Sequence, residues 1–155
     1  MKTIESFKVN HDILQKGMYI SRIDGDITTY DIRMKRPNNE ENDYLNNAEM
    51  HTFEHLFATY VRNTEYSENI IYVGPMGCRT GFYFLVRDKI SHEQALNLFK
   101  DSLNFIKDFE GKIPGTNKIE CGNYKEHDLN GAKSIAEDMA KVLENWTVEK
   151  MYYEQ

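Results

Sequence analysis

His51 and His55 stand four residues apart in the run His51-Thr52-Phe53-Glu54-His55. No other feature constrains the fold as strongly, because this spacing puts both imidazoles on one face only if the backbone there is helical. On a helix the two rings can bite one metal ion, and Glu54 lies close to the same face without being an obligatory ligand. The order H-x-x-E-H is the inverted motif of some zinc peptidases. The competing reading is a chance spacing of two surface histidines in a chain that has five.

A site built on two histidines needs a third protein ligand if one coordination position is to stay open. Glu120-Cys121-Gly122-Asn123-Tyr124 offers Cys121 as a thiolate, with Gly122 letting the backbone turn tightly beside it. His127 is a rival for the same position, and a buried structural cysteine is the bland reading of Cys121. The second cysteine sits in Gly77-Cys78-Arg79-Thr80-Gly81, between two strand-like segments. Glycines on either side allow a ligand to come close to the backbone. A thiol at such a turn can be exposed, and a nearby cation or Arg79 would favour its thiolate. A glycine-rich hairpin carrying a passive cysteine is the alternative.

The rest of the chain supplies a frame for these segments. Tyr30, Ile32 and Met34 alternate with Asp31 and Arg33, predicting a half-buried strand over 28–34. Met18–Ile23 can pair with it across Asp24-Gly25-Asp26. Ile70–Val73 and Phe82–Val86 are β-branched and aromatic, as in buried strands. A helix is predicted over about 44–61. Ser91 and Gln94 form a capping box for a second, which carries Ala95, Phe99, Leu103, Ile106 and Phe109 at helical spacing as far as Gly111. A third runs from about Gly131 to Trp146. Strands joined by tight turns with helices interspersed point to an α+β fold with a largely antiparallel sheet. The one polar stretch, 36–43, reads as a loop, so 1–155 is expected to be a single domain.

The net charge of −6 argues against a nucleic-acid or anionic-membrane surface. No apolar run approaches the ~20 residues of a membrane span. The opening Met1-Lys2-Thr3-Ile4-Glu5-Ser6-Phe7 lacks the apolar core of a secretion signal. The expectation is therefore a cytoplasmic protein whose two cysteines are free thiols.

Together the segments resemble the S-ribosylhomocysteine lyase (LuxS) family of the autoinducer-2 pathway. The matching stretches are Ser6-Phe7 with His11, Tyr30-Asp31-Ile32-Arg33, Pro37-Asn38, His51–Leu56, Pro75–Tyr83, Glu120–Tyr124 and His127-Asp128-Leu129. They run in order along nearly the whole chain and account for both cysteines. The resemblance implies an α+β two-layer sandwich, with an antiparallel sheet flanked by helices, in a homodimer whose active sites lie near the subunit interface. It implies His51, His55 and Cys121 as ligands of one divalent metal per subunit, Fe²⁺ with Zn²⁺ or Co²⁺ as substitutes, and Glu54 and Cys78 as acid/base groups. Ser6, His11, Arg33 and, beside Cys78, Arg79 are the implied substrate contacts. The implied reaction cleaves the thioether of S-ribosylhomocysteine to homocysteine and 4,5-dihydroxy-2,3-pentanedione, the autoinducer-2 precursor, serving quorum sensing or methionine recycling.

Such a carbon–sulfur bond is inert until a carbonyl lies β to the sulfur-bearing carbon. The ribose must open to an aldehyde, and its carbonyl must move from C1 to C3 through enediolates before β-elimination. Those steps need proton shuttles and a positive charge nearby. The chain departs from the family at Tyr72-Val73-Gly74, where Asp-Ile-Ser is usual, and at Asn10, where Asp is usual. Two rivals are weighed. An inverted-motif metallopeptidase shares H-x-x-E-H but has no use for a second cysteine. A closed structural metal site would require four protein ligands, with His127 beside Cys121.

Overall fold

The computed structural model describes residues 1–154. Two hairpins build its sheet. Strands β1 (Gly17–Asp24) and β2 (Ile27–Arg33) turn at Gly25, whose φ of 60° suits glycine. Strands β3 (Ile70–Pro75) and β4 (Gly81–Arg87) are joined by the turn that carries Cys78. β4 pairs with β2, so the order is β1-β2-β4-β3 and every pairing is antiparallel.

Register decides what each face carries. Met18 pairs with Ile32, Ile32 with Phe82 and Tyr30 with Phe84, and all five are fully buried. This apolar face packs on the helices. Phe53 and Phe57 of α1 (Asn47–Val61) lie 4.9 and 5.1 Å, ring centre to ring centre, from Phe82 and Phe84, and Phe99 of α2 (His92–Lys107) joins them. Helix α3 (Leu129–Val142) adds Ala132, Ile135, Ala136 and Met139 to the same core. The result is the expected α+β arrangement of one antiparallel sheet and a helical layer.

The helices start where their caps allow. Asn46 and Glu49 form a reciprocal capping box at α1, so that helix begins three residues later than its apolar pattern predicts. Ser91 and Gln94 do the same at α2, as read from sequence. At α3 the Asp128 carboxylate accepts from the Gly131 N–H, so the helix begins at Leu129 and takes in the glycine that the sequence reading placed at its start. Each such cap stabilises its helix by about 1 kcal/mol. Trp146 falls beyond α3 rather than on it. Its indole N–H donates to the Met18 carbonyl at 3.0 Å and its ring closes over Gly17.

The second face of the sheet corrects the expectation of a half-solvated strand. Tyr19, Asp31 and Tyr83 stand side by side across three strands, and Arg33 follows on the same face. Asp31 and Arg33 are only 1% and 2% exposed. They are a buried ion pair, with Arg33 Nε 2.7 Å from Asp31 Oδ1. Burying two charges is tolerated only when each is paired and hydrogen-bonded, so this face is built rather than merely polar.

Candidate active site

Helix α1 presents His51 and His55 with their rings 4.5 Å apart. The Nδ1 of His51 donates to the Glu126 carbonyl at 2.8 Å, and the Nδ1 of His55 donates to the Pro114 carbonyl at 2.8 Å. Both acceptors are backbone carbonyls, which have no proton to give. Each ring is therefore held in the tautomer that keeps a lone pair on Nε2, as metal-binding histidines require. Cys121 comes from the long connection between α2 and α3, and its Sγ lies 3.4 Å from His51 Nε2. Nitrogen and sulfur ligands on a tetrahedral ion of ordinary bond length would stand about 3.6 Å apart. One ligand atom from each of His51, His55 and Cys121 lies within 4.8 Å of the others. The three residues fit a divalent metal by donor chemistry, tautomer and spacing.

His127 takes a different part. Its ring stacks on His51 at 4.1 Å, and its Nδ1 lies 2.9 Å from the buried Thr52 hydroxyl, which accepts from the Asp128 N–H. Burial, and then the neighbouring His51 and His55, push its pKa down to about 4, so it is neutral at pH 7. Among the described residues it is not one of those whose ligand atoms converge, which leaves three protein donors there rather than the four of a closed site. Thr52 and His127 support the ligand helix from behind. Periodicity gave no hint of this, because Thr52 reads as a spacer between two candidate ligands.

Glu54 borders a shallow depression of about 260 Å³ together with His51, Asn123 and Glu126. Cys78, Ser6, His11 and Arg33 border a larger cleft of about 500 Å³. Pro75 borders both. Cys78 is an exposed free thiol, and Cys121 is free and partly buried. Arg79 is directed elsewhere: it is not among the residues lining that cleft, and its Nη1 donates to the Leu45 carbonyl at 3.3 Å. Its φ of 59° and the bond from the Leu45 N–H to its carbonyl show what it does, which is to pin the Cys78 turn to the segment before α1.

Sequence reasoning passed over Thr80, the residue that touches Cys78. Its Oγ1 accepts from Arg33 Nη1 at 2.8 Å and lies 3.0 Å from Cys78 Sγ. With one lone pair engaged by a guanidinium, the Thr80 hydroxyl has its hydrogen free to turn toward either sulfur beside it, Cys78 Sγ or, at 3.9 Å, Met76 Sδ. Arg33 keeps its charge here. Burial works against it, but the Asp31 carboxylate more than offsets that and raises the guanidinium's pKa.

A family model described as S-ribosylhomocysteinase (LuxS) matches residues 4–150. The chain belongs to the S-ribosylhomocysteinase (LuxS) family. Among its relatives, proteins named S-ribosylhomocysteine lyase from Phocaeicola vulgatus, Clostridium acetobutylicum and Finegoldia magna are 45%, 43% and 46% identical to it. Each alignment covers 99% of this chain and 98–99% of the relative. Against the LuxS pattern, the departure at Tyr72-Val73-Gly74 has a steric logic. The Tyr72 ring lies where a Cβ on residue 74 would be, so a residue with a side chain at 74 and this placement of Tyr72 exclude one another.

The ligand assignment carries an expected result. Cys121→Ala should lose most of its bound metal, because two neutral imidazoles leave the cation under-coordinated and its charge uncompensated. Elemental analysis after gel filtration measures this, and full occupancy in the variant would reassign the third ligand to His127.

Proposed function

We propose that this chain is a metal-dependent carbon–sulfur lyase acting as one catalytic domain over residues 1–155. It cleaves the thioether of S-ribosylhomocysteine to homocysteine and 4,5-dihydroxy-2,3-pentanedione. The observation that carries the reading is the convergence of His51, His55 and Cys121 in a chain whose full-length relatives are named for this lyase activity. The reaction is balanced without water, oxidant or reductant, since the atoms of the substrate are those of the two products.

A divalent cation on His51, His55 and Cys121 would supply positive charge against the oxygen anion that develops as each proton leaves carbon. Fe²⁺ is the ion the family resemblance implies, and an N₂S donor set also accepts Zn²⁺ and Co²⁺. Cys78, as a thiolate held by Thr80, takes a proton from a sugar carbon and returns one to its neighbour, moving the carbonyl along the chain. Glu54, beside the metal ligands, is the second acid/base group. When the carbonyl lies β to the sulfur-bearing carbon, loss of one more proton expels homocysteine thiolate. Ser6, His11 and Arg33 border the Cys78 cleft, which supports a role for them in binding the polar ends of the substrate. Purified protein should release one free thiol per S-ribosylhomocysteine consumed, read with a thiol reagent. Peptide hydrolysis without that thiol would favour the metallopeptidase reading instead.

We place the reaction in the cytoplasm, on the ground that both cysteines are free. No helix among the described residues is long and apolar enough to cross a membrane. A homodimer is supported by the apolar surface beside the outer face of the sheet. Ile4, Phe7 and Tyr72 are 55%, 73% and 53% exposed there, and Ile4 and Tyr72 border a groove over Leu85. A second copy covering it would bury that surface and place the Ser6 segments near the interface. Sedimentation should give a dimer at micromolar concentration. A fully active monomer at nanomolar concentration would refute the assembly.

A further inference from the structure

Tyr153 lies beyond the residues that the family model matches, in the segment after the short helical turn Val148–Met151. Its ring stacks on Tyr19 at 5.2 Å, and its hydroxyl donates to Asp31 Oδ2 at 2.5 Å. The hydroxyl's pKa is raised, by burial first and then by the Asp31 carboxylate, so it stays protonated and can act as donor. Asp31 is nearly inaccessible and has three donors on its two oxygens. Arg33 Nε sits on Oδ1 at 2.7 Å, Arg33 Nη2 on Oδ2 at 3.2 Å, and Tyr153 shares Oδ2.

The unequal pair of distances is informative. An unopposed arginine and carboxylate settle into two short parallel bonds. Here the Nη2 contact is the longer one, Oδ2 is shared with the Tyr153 hydroxyl, and Nη1 reaches Thr80 at 2.8 Å. Thr80 in turn touches Cys78 Sγ at 3.0 Å. A chain of contacts therefore runs from Tyr153 through Asp31, Arg33 and Thr80 to the thiol. We infer that Tyr153 is a positioning residue for Cys78: by holding Asp31 Oδ2 it keeps Arg33 turned toward Thr80, and so sets the reactivity of the thiol. The inference rests on the reading of Cys78 as an acid/base group, but it is tested without turnover.

The titratable groups around Cys78 are Arg33 and Asp31 from β2, Tyr83 from β4, His11 from the N-terminal segment and Tyr44 from the stretch before α1. Tyr153→Phe changes none of these and keeps the ring on Tyr19. It frees Oδ2 to draw Nη2 in, which swings Nη1 off Thr80 and takes positive charge away from the sulfur. The sign follows: with less positive charge beside it, the sulfur reacts more slowly.

In the full-length, metal-loaded protein, iodoacetamide modification of Cys78 is followed by peptide mass spectrometry from about pH 5 to 9 without substrate. Tyr153→Phe should slow modification at neutral pH by roughly 3–10-fold. In an Asp31→Asn or a Thr80→Val background the same substitution should change the rate by less than about twofold, because the path it acts through is already broken. Thr80→Val serves if Asp31→Asn does not fold. A profile for Tyr153→Phe that overlays the parent's, or an equal effect in both backgrounds, overturns the inference. A Cys78→Ala variant that turns over normally would instead refute the role of Cys78 and leave the modification result standing.

Discussion

Cys78→Ala is expected to keep its metal and lose homocysteine release by about 10²–10⁴-fold, the usual cost of removing an acid/base group. The two properties separate because Cys78 lines a different cleft from the ligand set, with its sulfur on Thr80 and not among the converging donors. Glu54→Gln should behave alike, since the amide matches the carboxylate in shape and cannot take up a proton. The two variants can stall at different points, so a ketose intermediate detected by NMR in one and not the other would divide the proton transfers between them. Elemental analysis and the thiol assay on the same samples decide the matter. Wild-type turnover by metal-replete Cys78→Ala would overturn the mechanism while leaving the metal site intact.

The second large effect is on the fold that delivers that cleft. Gly81 pairs with Arg33 at the end of the β2–β4 ladder, and a Cβ there would stand 1.8 Å from the Ile32 carbonyl oxygen. Backbone cannot yield as a flexible side chain can, so Gly81→Ala must part the two strands at the point where Thr80 meets Arg33. Both the Met34 and the Lys35 N–H groups donate to the Thr80 carbonyl beside it, at 2.8 and 2.9 Å. Losing that junction should cost about 4 kcal/mol or more, in the exceptional range for one substitution. For a chain of this size that lowers the melting temperature by at least roughly 8 °C. A melt within about 2 °C of the parent would mean that the strands do not approach as closely as described.

Much of this protein was legible in its residues. The i, i+4 histidines demanded a helix, and Asn47–Val61 is one. The alternation of Tyr30, Ile32 and Met34 predicted the buried face of β2; Tyr30 and Ile32 are buried on it, and Met34, just past the end of the strand, is buried too. The capping box at Ser91 and Gln94 marked a helix start to the residue. These are local signals, carried by spacing along one element, and local spacing is what a sequence displays directly. The two cysteines in their glycine-flanked segments, with the inverted histidine motif, also carried the family resemblance that full-length matches bear out.

Tertiary structure alone decided the rest. Which carbonyls fix the histidine tautomers depends on Pro114 and Glu126 being brought to α1 from 59 and 75 residues away. That Arg79 ties down a turn while Arg33, on a strand read as half-solvated, is buried against Asp31 depends on what covers the second sheet face. Tyr153 could not be singled out in advance, because its partner Asp31 lies 122 positions earlier in the chain. The physical reason is common to all three: a side chain's role is set by what desolvates it and which charges it meets there, and those neighbours come from elements distant in sequence.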